Sequence, residues 1–113
     1  MNYSIATTND FDKQVKRLSK KYRSLKSNLI AFQENLLKNP IMGDDLGNDT
    51  RKVRMAISSK NKGKSGGARI ITFHFWVDVQ NTDIYLLTIY DKNEQDAISE
   101  KKIHQLKQKN GLI

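Results

Sequence analysis

The chain has 113 residues, enough for one compact core and not two, and carries 20 Lys+Arg against 12 Asp+Glu for a formal net charge of +8. That excess points to an anionic partner, which is nucleic acid, an acidic protein or a membrane surface. With no cysteine, disulfides, thiolate metal sites and a Cys nucleophile are excluded, and two well-separated histidines, His74 and His104, argue against zinc, so neither metal nor cofactor is expected. The longest apolar runs are a few residues, too short to span a membrane, and Met1 to Asp10 lacks the basic and apolar regions of a signal peptide. A soluble, cytoplasmic protein with no membrane partner is expected.

In chain order, Tyr3 and Ile5 alternate with Ser4 and Ala6, which predicts a short first strand. Asn9 and Asp10 are candidate caps of the helix that follows. There Phe11, Val15, Leu18 and Tyr22 share one face, while Lys13, Lys16, Arg17, Lys20 and Lys21 stay in water. A second helix carries Leu25, Leu29, Phe32 and Leu36 at the same spacing. It ends before Pro40, because Asn39 is disfavoured in the α region ahead of a proline. The two helices should form an antiparallel hairpin.

The stretch Met42 to Asp49, with two glycines and three aspartates, reads as a loop. Strand periodicity then predicts strands near Lys52–Ser58, Ala68–Val77 and Ile84–Tyr90, with a turn at Asn81 to Asp83. A final helix starts at Asp96 or a neighbour, carries a thin stripe of Ile98, Ile103 and Leu106, and stops near Asn110-Gly111. The expected fold class is α+β in the order β-α-α-β-β-β-α, an antiparallel sheet packed on a helical hairpin, as one domain over residues 1–113.

Between Thr50 and Val77 there are seven basic residues and no acidic one: Arg51, Lys52, Arg54, Lys60, Lys62, Lys64 and Arg69. Most surround a Gly/Ser-rich loop, which can bring backbone N–H groups and lysine ends to phosphates. The same composition also suits a solvated connection. Gly63-Lys64-Ser65 has the ending of a P-loop, but the glycine needed five residues earlier is Ser58, and a strand follows where a P-loop opens a helix. Nucleoside triphosphate binding is therefore not expected. Tyr90 and Lys92 share parity at the end of the last strand, where they can stack a base and contact a phosphate, or close the core and stay solvated. His74, mid-strand between Phe73 and Phe75, reads as a packed structural histidine, His104 as solvated, and Trp76 as core.

Three segments together resemble the HigB-like branch of the RelE/ParE toxin superfamily. They are Lys52-Val-Arg-Met-Ala56, Gly63-Lys-Ser-Gly-Gly-Ala-Arg-Ile-Ile71 and Leu86-Leu-Thr-Ile-Tyr-Asp-Lys92 with Glu94-Gln95. The element order is similar too, so the resemblance covers nearly the whole chain and implies a small RelE-like fold. It implies the toxin of a type II toxin–antitoxin system, an mRNA interferase cutting mRNA in the ribosomal A site, in contact with 16S rRNA. It also implies a cognate antitoxin, in many HigB systems one with a helix-turn-helix domain.

Arg69 matches the family arginine that holds the scissile phosphate, and Lys92 matches the basic residue just beyond the last strand. Arg54, Lys62 and Lys64 are similar to the family's basic strand and loop residues. The family tyrosine has no counterpart in Ala97 to Ser99, and Tyr90 is the substitute. Arg69, Lys92, Lys64 and Tyr90 are thus the expected catalytic residues, with Lys52, Arg54, Lys60 and Lys62 binding RNA. The chemistry implied is metal-independent: the ribose 2′-OH attacks the adjacent phosphodiester, and a planar, always-protonated Arg69 stabilises the developing charge. A lysine crowded by other cations, Lys64 or Lys92, would exchange protons near neutral pH. Arg69→Ala is expected to leave the fold intact. The alternative function is a ParE-like gyrase poison or a non-enzymatic basic nucleic-acid-binding protein.

Overall fold

The computed structural model describes residues 1–61 and 63–113. Its first strand, β1 (Asn2–Thr7), runs into Thr8, whose hydroxyl ties the strand end to its surroundings. It accepts the Phe11 N–H at 3.0 Å, capping α1 (Asn9–Lys21), and donates to the Leu87 carbonyl at 2.8 Å. The cap thus falls one residue before Asn9. Asp10 and Asp12 then lie in the first turn and Lys20 and Lys21 in the last, which suits the helix dipole. The second helix, α2 (Leu25–Lys38), buries Leu25, Leu29, Phe32 and Leu36, and the chain leaves the α region at Asn39, as Pro40 requires.

The segment expected as a loop contains an edge strand, β2 (Asp44–Gly47), paired antiparallel with β3 (Thr50–Met55). Asn48 and Asp49 form the turn between them, at φ of 52° and 58°. Positive φ at both turn residues matches the twist of a tight hairpin, and Asn and Asp tolerate it. The next strands are β4 (Ala68–Trp76) and β5 (Asn81–Asp91). Their turn lies ahead of Asn81, because the Asp78 carboxylate accepts from the N–H groups of Gln80 and Asn81 at 2.8 and 2.9 Å. The last helix, α3 (Glu100–Lys109), starts where Ser99 caps Lys102 and ends at Gly111, which has a φ of 69°.

Among the described residues, three helices pack on a five-stranded sheet ordered β1-β5-β4-β3-β2, an α+β architecture. The consecutive strands β3, β4 and β5 are antiparallel as expected. However, β1 lies parallel on the outer edge of β5, from Asn2 opposite Asn81 to Thr7 opposite Leu86, so the sheet is mixed. Parallel pairing needs a long crossover, and everything from α1 to β4 supplies it. One sheet face, with Val53, Ile70, Ile84, Leu86 and Ile89, packs on the helical hairpin. On the other, Ile71, Phe73, Leu87 and Tyr90 meet Ile103 and Leu112 in and just beyond α3, which covers part of that face.

The end of β5 is fixed by a fully buried carboxylate. Asp91 accepts from Lys60 Nζ at 2.8 Å, from the Tyr22 hydroxyl and from the Asn93 N–H at 3.0 Å. Burial pushes its carboxyl up, but these donors outweigh that and hold it at about 2. A carboxyl depressed on folding contributes stability that is present above its unfolded value of about 4 and lost as pH falls through the folded value. Urea stability should therefore fall between about pH 4 and pH 2 in the wild type. Lys60→Met, which leaves Asp91 buried beside an apolar chain, should cost about 3–5 kcal/mol at pH 7.

Candidate nucleic-acid interface

The sheet register assembles a row of side chains. Arg54 on β3 lies opposite Arg69 on β4, and Arg69 lies opposite Tyr90 on β5, so the three side chains are cross-strand neighbours on one face. Lys52 sits two residues along β3 from Arg54 on the same face, opposite Ile71. The placement of Tyr90 depends on a bulge. Ile71 faces Thr88 but Thr72 faces Leu86, which leaves Leu87 as an extra residue in β5. Without that shift of one, strict alternation from Tyr85 would turn Tyr90 toward the helical hairpin.

Arg69 is not a free strand end. It is 6% exposed, and its guanidinium donates to the backbone carbonyls of Lys64 (2.9 Å), Ser65 (3.2 Å) and Ala68 (3.2 Å). It therefore stitches the Gly/Ser loop to the sheet, with three of its five N–H donors so used. The expectation that removing it leaves the fold intact does not survive this geometry. The loop is held on its other side at Gly67, where an added Cβ would lie 2.2 Å from the Met55 carbonyl oxygen, so only glycine fits. Tyr90 is also buried, and its hydroxyl has no hydrogen-bond partner among the described residues. Burial raises its pKa and the Arg69 charge pulls the other way, so at neutral pH it is a hydrogen-bond donor rather than a base.

The remaining expected residues separate. Arg54 is exposed, Lys52 half-buried and Lys64 exposed, and among the described residues neither they nor Arg69 have an ion-pair partner. Lys92 flanks the row, but its ammonium donates to the Asp96 carbonyl at 2.9 Å and lies 3.7 Å from that residue's carboxylate. Lys60 points to the opposite side of the sheet, where its ammonium is spent on buried Asp91, so it is not available to RNA. Lys62 lies outside the described residues. His74 is structural as expected, buried with Nε2 at 2.9 Å from the Pro40 carbonyl. Trp76 is 55% exposed at the far end of β4, neither core nor part of the row.

Three carboxylates are held by cations away from the row. Arg17 and Lys21 hold Glu94, Lys60 and Lys21 hold Asp91, and Lys109 holds Asp10. Lys52, Arg54, Lys64 and Arg69 thus carry charge that no ion pair among the described residues compensates, an arrangement that attracts phosphates. One contributor went unread in the sequence. Lys107, four residues after Ile103, belongs by spacing to the buried side of α3, and its ammonium sits under the helix against Thr50. No protein-family model matches the chain.

Removal of Arg69 tests the stitch. Arg69→Ala should lower stability by about 1–3 kcal/mol, the cost of orphaning the loop carbonyls it serves, and should speed amide exchange over residues 64–67. Arg54→Ala, at an exposed site, should leave the urea midpoint unchanged. Equal midpoints for the two variants would show that Arg69 does not hold the loop.

Proposed function

We propose that this protein is a cytoplasmic RNA-cleaving toxin of the RelE/HigB kind, acting on ribosome-bound mRNA and held inactive by a cognate antitoxin. The observation that carries the reading is the row Arg54–Arg69–Tyr90: two arginines without carboxylate partners among the described residues, beside a buried phenol at the foot of the basic loop. In this reading Arg54, exposed and forked, binds non-bridging oxygens of the scissile phosphate. Arg69 holds the loop and lends its charge, and two of its five N–H donors have no partner among the described residues. The Tyr90 hydroxyl, kept protonated by its burial, finds in a phosphoryl oxygen the acceptor it lacks among the described residues and so stabilises the developing charge by a hydrogen bond. Lys52 and Lys64 flank this centre and hold neighbouring phosphates.

A second reading has its own observation. Arg69 is largely occupied by carbonyls and Tyr90 is shielded, which suits a surface that binds without cutting, as in a ParE-like gyrase poison or a simple nucleic-acid-binding protein.

An in-vitro translation reaction separates the two. Added protein should cut mRNA within codons only when ribosomes are present, and Arg54→Ala should slow cutting about 10²–10³-fold. Intact mRNA together with inhibition of gyrase supercoiling would reverse the ranking.

A further inference from the structure

Beside the basic row, α3 and the β2–β3 hairpin enclose a cleft of about 460 Å³. Leu46, Ile98 and Ile103 give it apolar walls, Lys101 and Lys107 bring two cations and Glu100 one carboxylate, and His104 lines it as well. We propose that this cleft is a nucleotide subsite: it takes one base with its phosphate from a single-stranded RNA that runs from the Arg54–Arg69–Tyr90 row along β3. The inference rests on the RNA reading above and adds where the strand goes.

Its main support is Lys107. The residue is 6% exposed, with its ammonium 4.4 Å from the Phe73 ring centroid, 2.5 Å from the Thr50 hydroxyl and 3.4 Å from the Asn48 carbonyl oxygen. Among the described residues it has no carboxylate at ion-pair distance, although the charge of Asp49 acts on it from farther off, and only two oxygens accept its three N–H donors beside the Phe73 ring. Burying an ammonium in this way is costly unless something supplies an acceptor. Because Lys107 lines the cleft, a ligand oxygen or ring nitrogen there would be a third acceptor for its ammonium.

The path and the size agree with that ligand. Arg54, Lys52 and Thr50 share one face of β3 at about 6.8 Å per step, and Lys107 stands on Thr50. Cations at Arg54, Lys52 and Lys107 therefore follow one another at a spacing comparable with successive phosphates of an extended RNA strand. The cleft volume is within the range of small-ligand sites, ample for a nucleoside. Its lip, the Asn48-Asp49 turn, is a tight hairpin turn and so preformed. Leu46, an apolar side chain 40% exposed on an edge strand, gives a base a surface to pack on.

A hexaribonucleotide with 2′-O-methyl at every ribose tests this, because it cannot be cut by 2′-OH attack and reports binding alone. In a ¹⁵N–¹H titration, amides of residues 46–50 and 98–107 should shift together with those of Arg54 and Arg69. Leu46→Glu and Lys101→Glu, both at exposed positions, should each weaken the hexamer about tenfold or more by fluorescence anisotropy with melting temperature unchanged. Lys107→Met should do the same, and if it does not fold the two surface variants decide. AMP should reach the same cleft at least tenfold more weakly than the hexamer. Equal affinity would make the cleft a free-nucleotide site and overturn the RNA path, as would shifts confined to the Arg54 face or unaltered binding by Leu46→Glu. Absence of mRNA cleavage on ribosomes, by contrast, would defeat the nuclease reading and leave these binding results standing.

Discussion

The extra residue at Leu87 is the point on which the rest of the arrangement turns. A strand delivers side chains to alternate faces, so one inserted residue exchanges the faces of everything beyond it. Before the bulge, Ile84 and Leu86 face the helical hairpin. After it Ile89 still does, and Tyr90 joins Arg69 and Arg54 on the opposite side. The irregularity is stabilised by Thr8, whose hydroxyl takes the carbonyl of the inserted residue while capping α1. One buried threonine thus links the start of the first helix to the face on which the basic row lies.

Charge is sorted between the two faces. Toward the hairpin, lysines and an arginine are matched to carboxylates, with Asp91 fully buried at their centre. Toward α3, Lys52, Arg54 and Arg69 stand among Ile71, Tyr90 and Phe73 without acidic partners among the described residues. The two arrangements meet at the Gly/Ser loop. Lys60 ties its beginning to Asp91, and Arg69 ties its end to the sheet. Anchors of this kind, at Lys60 and at residues 64–68, lower the conformational freedom those residues lose on meeting a ligand.

The parts of the fold written in local periodicity were legible. The helical faces of Phe11, Leu18, Leu29 and Leu36, the stop before Pro40 and the three antiparallel strands follow from spacing and backbone restriction. The parallel seat of β1 was not, because pairing partners far apart in sequence leave no local trace. Nor was β2, since a four-residue exposed edge strand has no apolar alternation to read. At the site, the basic cluster and the parity of Tyr90 made Arg54, Arg69 and Tyr90 candidates, and the resemblance supplied their expected roles. Composition alone could not show that Lys60 turns away to a buried aspartate, that Arg69 spends its fork on carbonyls, or that Lys107 is drawn under α3.

The seat of β1 also governs the order in which the chain can become native. β5 bonds β1 on one side and β4 on the other, and supplies the carbonyl that fixes Thr8. During synthesis β1, α1 and α2 are therefore made long before the strand that completes their packing, and Asn2 meets Asn81 across a sequence separation of 79 residues. Such non-local topology slows folding and leaves the apolar hairpin face exposed meanwhile. The basic face, built from β3, β4 and β5 together, comes into being only after β5 has emerged, so shorter nascent chains lack it.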